Sequence, residues 1–83
     1  MAKRKLVEIS WVDAESQAGW VAEHDAEDAT VQVLRSYGLL VRKDKHFVVY
    51  ASTHDKVAQR WSELGKIPIG MVKSIKVLAL VED

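Results

Sequence analysis

The sequence predicts a mainly β protein: a small, strongly bent barrel of five strands, with a short acidic insertion after the first. Three observations carry that expectation. Apolar residues alternate with polar ones over residues 5–13 and 30–41, which is strand periodicity, and residues 46–52 and 73–81 read as further strands. Glycine or proline interrupts the later strands at Gly38, Pro68 and Gly70, where a sheet must bend or end. Valine is used heavily in a chain that is 48% hydrophobic, which favours sheet over disorder.

Eighty-three residues make one domain, residues 1–83, with a thin core, because a chain this short buries only about 60% of its unfolded surface. Oligomerisation is a common remedy. There is no cysteine, so thiol chemistry, disulfides and cysteine-ligated zinc are excluded. Met1-Ala2-Lys3-Arg4-Lys5 is basic like the start of a signal peptide. Glu8 and Asp13 interrupt the apolar stretch behind it, so residues 1–5 read as a flexible basic terminus and the protein as cytoplasmic.

The net charge is zero, but the charges are sorted. Residues 6–34 hold seven acids and no Lys or Arg, whereas residues 35–76 hold nine bases against three acids. Such sorting makes opposed patches or a surface complementary between copies, unless the folded chain neutralises it internally.

Along the chain, Val7, Ile9 and Trp11 share one face of the first strand. Residues 13–19 read as a loop, and the acidic residues 22–29 as a loop or a helical turn too short to stand alone. Val31, Val33, Tyr37, Leu39 and Val41 form the next apolar face, with Arg35 interrupting it and a bend or bulge near Ser36-Tyr37-Gly38. Arg42-Lys43-Asp44-Lys45 is a charged hairpin turn. Over residues 55–64, Val57, Trp61 and Leu64 have helical spacing and Gly65 suits a helix end, so a short helix is expected, with an extended hairpin arm as competitor. Pro68 belongs at a strand end or edge. The last strand places Ile75, Val77 and Ala79 on one face.

Two resemblances follow from these blocks. Gly38-x-Leu40-Val41, a charged turn, Val48-Val49-Tyr50, then Ile67-Pro68-x-Gly70-Met71-Val72-x-x-Ile75 resembles the Sm-like small barrels. That likeness implies a five-stranded barrel, ring assembly and RNA binding through loops. The paired loop motifs that contact RNA in that family have no counterpart here. Val7 to Asp13, Gly19-Trp20, Gly38 to Val41 and Ile67 to Ile75, in that order, resemble small phage and prophage proteins of unknown role. That likeness implies a phage-encoded protein in the host cytoplasm.

The chemistry-bearing residues argue for binding. His24 with Asp25, Glu27 and Asp28 superficially resembles a metal cluster, but neither helical nor strand spacing gathers them, so no metal or other cofactor is expected. No serine lies in a sharp glycine-flanked turn, and the four glycines are scattered rather than forming a phosphate loop. A non-enzymatic accessory protein is expected, self-associating and engaging a host protein or small ligand. Trp20, Trp61 and Tyr50 are its interface or ligand-binding candidates, while Trp11 reads as core. The alternative is an RNA or single-stranded DNA binder using Lys3, Arg4, Lys5, Arg42, Lys43 and Lys45.

Overall fold

The computed structural model describes residues 3–14 and 18–82. Its elements are β1 (Lys3–Val12), α1 (Glu23–Glu27), β2 (Val33–Lys43), β3 (Phe47–Asp55), β4 (Arg60–Pro68), a single 3-10 turn (Ile69–Met71) and β5 (Val72–Glu82). All four strand pairings are antiparallel, in the order β4-β3-β2-β1-β5. The alternating segments of the sequence thus become a mainly β fold of five strands. Among the described residues β4 pairs only with β3 and β5 only with β1, so the sheet has two open edges rather than the closed seam expected of a barrel.

The sheet bends at β2. Leu39 opposes Leu6 of β1 and also Ala51 of β3, so β2 passes from one neighbour to the other there. Gly38 is what allows it. A Cβ at this buried position would lie 2.8 Å from the Ala51 carbonyl oxygen and 3.1 Å from the Tyr50 ring. The bend therefore falls where the glycine predicts it, with the register irregularity slightly later, between Leu40 and Arg42.

Bending brings non-adjacent strands face to face. Val7 and Ile9 of β1, Val48 of β3 and Ile67 of β4 form the core, each no more than 3% exposed. Trp11, Leu40, Tyr50, Ile69, Met71, Val72 and Ile75 pack around them. Each fully buried Val or Ile contributes about 1.5–3 kcal/mol, so this small cluster dominates stability. The 3-10 turn closes one end, tied by the Ile69 amide donating to the His46 carbonyl at 2.8 Å.

Several expectations are corrected. Residues 55–64 form no helix: β3 runs to Asp55 and β4 starts at Arg60, giving the extended hairpin arm. Cross-strand pairing through Thr53/Ser62, His54/Trp61 and Asp55/Arg60 outweighs a helical spacing that has nothing to pack against. Gly65 ends no helix either. It lies inside β4 beneath the Tyr50 ring, which a Cβ would overlap. Lys3, Arg4 and Lys5 are not a flexible terminus but the first rungs of β1, opposite Glu82, Val81 and Leu80; Met1 and Ala2 lie outside the described residues.

The face of β2 is also reversed. Gly38 opposes Val7 and Ser36 opposes Ile9, so the small residues look inward while Val33 and Tyr37 are about half exposed. The Trp11 indole fills the space above Ser36 and donates to its hydroxyl at 3.0 Å. In β5 a bulge at Leu78 shifts the register, so Val77 opposes Val7 but Ala79 opposes Leu6, and the two do not share a face.

Candidate docking surfaces

Four regions hold the residues that the sequence singled out. The first is the hairpin arm. Its four-residue turn is built by Asp55, whose Oδ1 accepts the amides of Val57 and Ala58 at 3.1 Å each and whose Oδ2 accepts Arg60 Nε at 3.2 Å. The Ala58 amide, with help from Arg60 and the Val57 amide, holds the Asp55 carboxyl below its usual pKa. Gln59 completes the turn in the left-handed region at φ 54°.

On the arm, His54 stacks on Trp61 with ring centroids 4.0 Å apart and planes 19° from parallel. The Arg4 guanidinium carbon lies 5.0 Å from the Trp61 ring centroid, within cation–π range. A shallow depression of about 390 Å³ lies beside it, lined by Thr53, Asp55, Arg60, Trp61 and Ser62. Trp61 is half-buried and already committed to two neighbours in its own chain.

The second region is the sheet floor at Tyr50. It lies against the core and over Gly65, four rungs or about 13 Å along β3 from His54. The third is the excursion between β1 and β2. Residues 18–32 are all exposed, and Trp20 is fully so, at 104% of its reference area. Glu23, Asp25, Glu27 and Asp28 lie on or beside the single turn of α1, where His24 Nε2 approaches Asp25 Oδ1 at 3.3 Å. Glu15, Ser16 and Gln17 of the predicted loop fall outside the described residues. Trp20, Trp61 and Tyr50 therefore occupy three separate places.

The fourth region is basic. Asp44 Oδ1 accepts the amides of His46 at 2.8 Å and Phe47 at 2.9 Å, and its Oδ2 accepts Arg42 Nε at 2.9 Å. The Phe47 amide first, then that of His46, lowers the Asp44 pKa. Arg42 is thus held within the turn, while Lys43 and Lys45 are exposed. The Leu6/Leu39 register puts Lys3, Arg4 and Lys5 at the same end of the sheet as this turn. The excursion, joining Val12 to Val33, leaves from the opposite end, where Arg35 and Lys73 also lie.

One surface was missed by sequence reasoning. Along β5, Val77 is 49% exposed, Leu78 44%, Leu80 57% and Val81 39%, and the strand's outer edge pairs with nothing among the described residues. The signal was present: Val77-Leu78-Ala79-Leu80-Val81 is a continuous apolar run between Lys76 and Glu82. Alternation fits it poorly, and a run of this kind belongs to a strand covered on both faces.

Among the described residues no three His, Asp or Glu side chains converge as a metal site would require, and no helix is long and apolar enough to cross a membrane. Comparison with protein-family models, with curated proteins and with solved structures found no match.

Proposed function

We propose that this protein works by binding rather than catalysis, as a self-associating accessory protein of phage origin in the host cytoplasm. As an assembly it engages a host protein or small ligand, without a cofactor. The observation that carries the reading is β5: an open edge strand with four large apolar side chains exposed. Exposed apolar edges invite strand pairing, and monomeric proteins blunt them. Lys73 and the bulge at Leu78 blunt this one in part, but the run 77–81 carries no charge at all.

A Sm-like path is part of the proposal. The order β4-β3-β2-β1-β5, the bend at Gly38 and the single 3-10 turn between β4 and β5 support it. The test is sedimentation over a range of concentrations, with L78D/L80D as the variant. Association of the wild type that the variant loses is the expected result. A wild type that stays monomeric throughout removes the assembly reading.

The nucleic-acid alternative gains some support from the shared location of Lys3, Arg4, Lys5, Lys43 and Lys45 at one end of the sheet. Binding of single-stranded oligonucleotides at low salt, abolished by K43E/K45E and weakened steeply by added salt, would favour it.

A further inference from the structure

We infer that the surface covering β5 is the acidic, tryptophan-bearing excursion of a second copy of this chain, with Trp20 as its anchor. The inference rests on the self-association reading and names which surface meets which.

Trp20 is the argument's starting point. A fully exposed tryptophan leaves a large apolar area in water, and tryptophan is the side chain most enriched at the energetic centres of interfaces. It sits beside Val21, 40% exposed, in a connection whose described residues 18–32 contain only one turn of helix and no buried side chain. Connections of such length without structure of their own are uncommon in compact domains and are most often functional. Among the described residues no contact explains why Trp20 is there.

The complementary surface is β5 with the strand beside it. Leu80 is the most exposed apolar residue of β5, and Lys5 stands directly opposite it on β1. Together β1 and β5 carry five bases against two acids, Glu8 and Glu82. The described part of the excursion carries five acids and no Lys or Arg. An apolar anchor with an acidic flank thus matches an apolar strip with a basic flank. Both halves are on every copy, and β1 holds the Lys5/Leu80 part of the strip away from its own excursion: the excursion leaves after Val12, beside Lys73, while Lys5 is seven residues back, about 23 Å along the strand. Docking between copies buries what folding leaves exposed. Like-charged ends would repel, so the sorting of charge also sets the direction of approach.

Sedimentation of the full chain at low and high salt tests this, using W20A, K5E/K73E and the charge swap K5E/K73E/E23K/D25K. All these positions are exposed, and far-ultraviolet circular dichroism checks that each variant folds. W20A is expected to weaken self-association about thirtyfold, as loss of an interface anchor does. K5E/K73E is expected to weaken it and the swap to recover it, with wild-type association falling as salt rises. Association indifferent to W20A and to charge reversal would overturn this contact while leaving assembly through other edges standing. A wild type that is monomeric at every concentration would overturn both.

Discussion

The bend and the excursion both carry large apolar residues, and these end up in opposite environments. At the bend, valine, isoleucine and glycine from β1, β2, β3 and β4 converge, and Val7, Ile9, Val48 and Ala51 lose all contact with solvent. In the excursion, Trp20, Val21 and Val31 remain open to water, at 104%, 40% and 47%. The difference is cross-strand register. Leu39 has a partner on both sides, so everything around it is layered, whereas residues 18–32 have none on either. Hydrophobicity supplies the driving force, but only paired backbone supplies a surface to bury against. Stability should therefore concentrate at the bend, and the periphery should be free for docking.

The strongest way to break that comparison is to hollow out the bend. Ile9→Ala removes the largest fully buried side chain and should cost about 2–5 kcal/mol in denaturant unfolding. With a core of this size, that is a large share of the total stability of a small domain. A cost under about 1 kcal/mol would mean that the core lies elsewhere.

Gly38→Ala comes next and sharpens the cause of the bend. Gly38 is not among the residues with positive φ, so alanine meets no backbone strain and should gain slightly from a stiffer unfolded chain. Space decides the sign. The obstacle at 2.8 Å is a backbone carbonyl of β3, itself held by pairing with Leu64 on β4, and it cannot swing aside as a side chain would. Overpacking of this kind costs about 1–3 kcal/mol, read as a lower midpoint at unchanged slope. A neutral or stabilising result would show that β2 and β3 can separate.

The arm responds to acid rather than to packing. Hydrogen bonds from Ala58 and Val57 and the Arg60 contact lower the folded pKa of Asp55 below its unfolded value. Its contribution is therefore present above the unfolded carboxyl pKa, about 3.9, and is lost as pH falls through the lower folded value. Protection of the Val57 and Ala58 amides, relative to their intrinsic exchange rates at each pH, should fall over that acid range while Val7 and Ile9 stay protected. D55A should produce the same local loosening at neutral pH. Exchange at the core that tracks the arm would show one cooperative unit instead of two regions.

The bend was legible in the sequence because two signals agreed there: β alternation in Val7, Ile9 and Trp11, and a glycine within the next strand. The arm was not, because Val57, Trp61 and Leu64 recur at helical spacing by chance of composition. What decides between helix and hairpin is the pairing of His54 with Trp61 and Asp55 with Arg60, and one strand's partner is invisible until both are placed. The β2 face was misjudged for a related reason. Ser36 and Gly38 face inward because Trp11 and the β3 backbone need the room, so the polar and small residues mark the tightest packing. Of the candidate residues, Trp20 was legible as lying outside the core, since no alternation claims it. The exposed run on β5 was readable but hidden by forcing a period of two across the bulge at Leu78.

The smallest expected effect is the most discriminating. Trp20→Ala removes the largest side chain type in the protein, yet Trp20 is fully exposed. Its unfolding free energy, measured at a concentration where the wild type is monomeric, should stay within about 0.5 kcal/mol of the parent. Trp11, which packs on the core and donates to Ser36, provides the contrast: even the conservative Trp11→Phe should cost about 0.5–1.5 kcal/mol for the hydrogen bond alone. Raising the protein concentration should then separate wild type from W20A, because only association exploits the exposed ring and mass action adds stability to the associated form. Should W20A instead unfold as readily as a core variant when dilute, the excursion would be part of the folded unit. The division between a sealed bend and an open periphery would then fail.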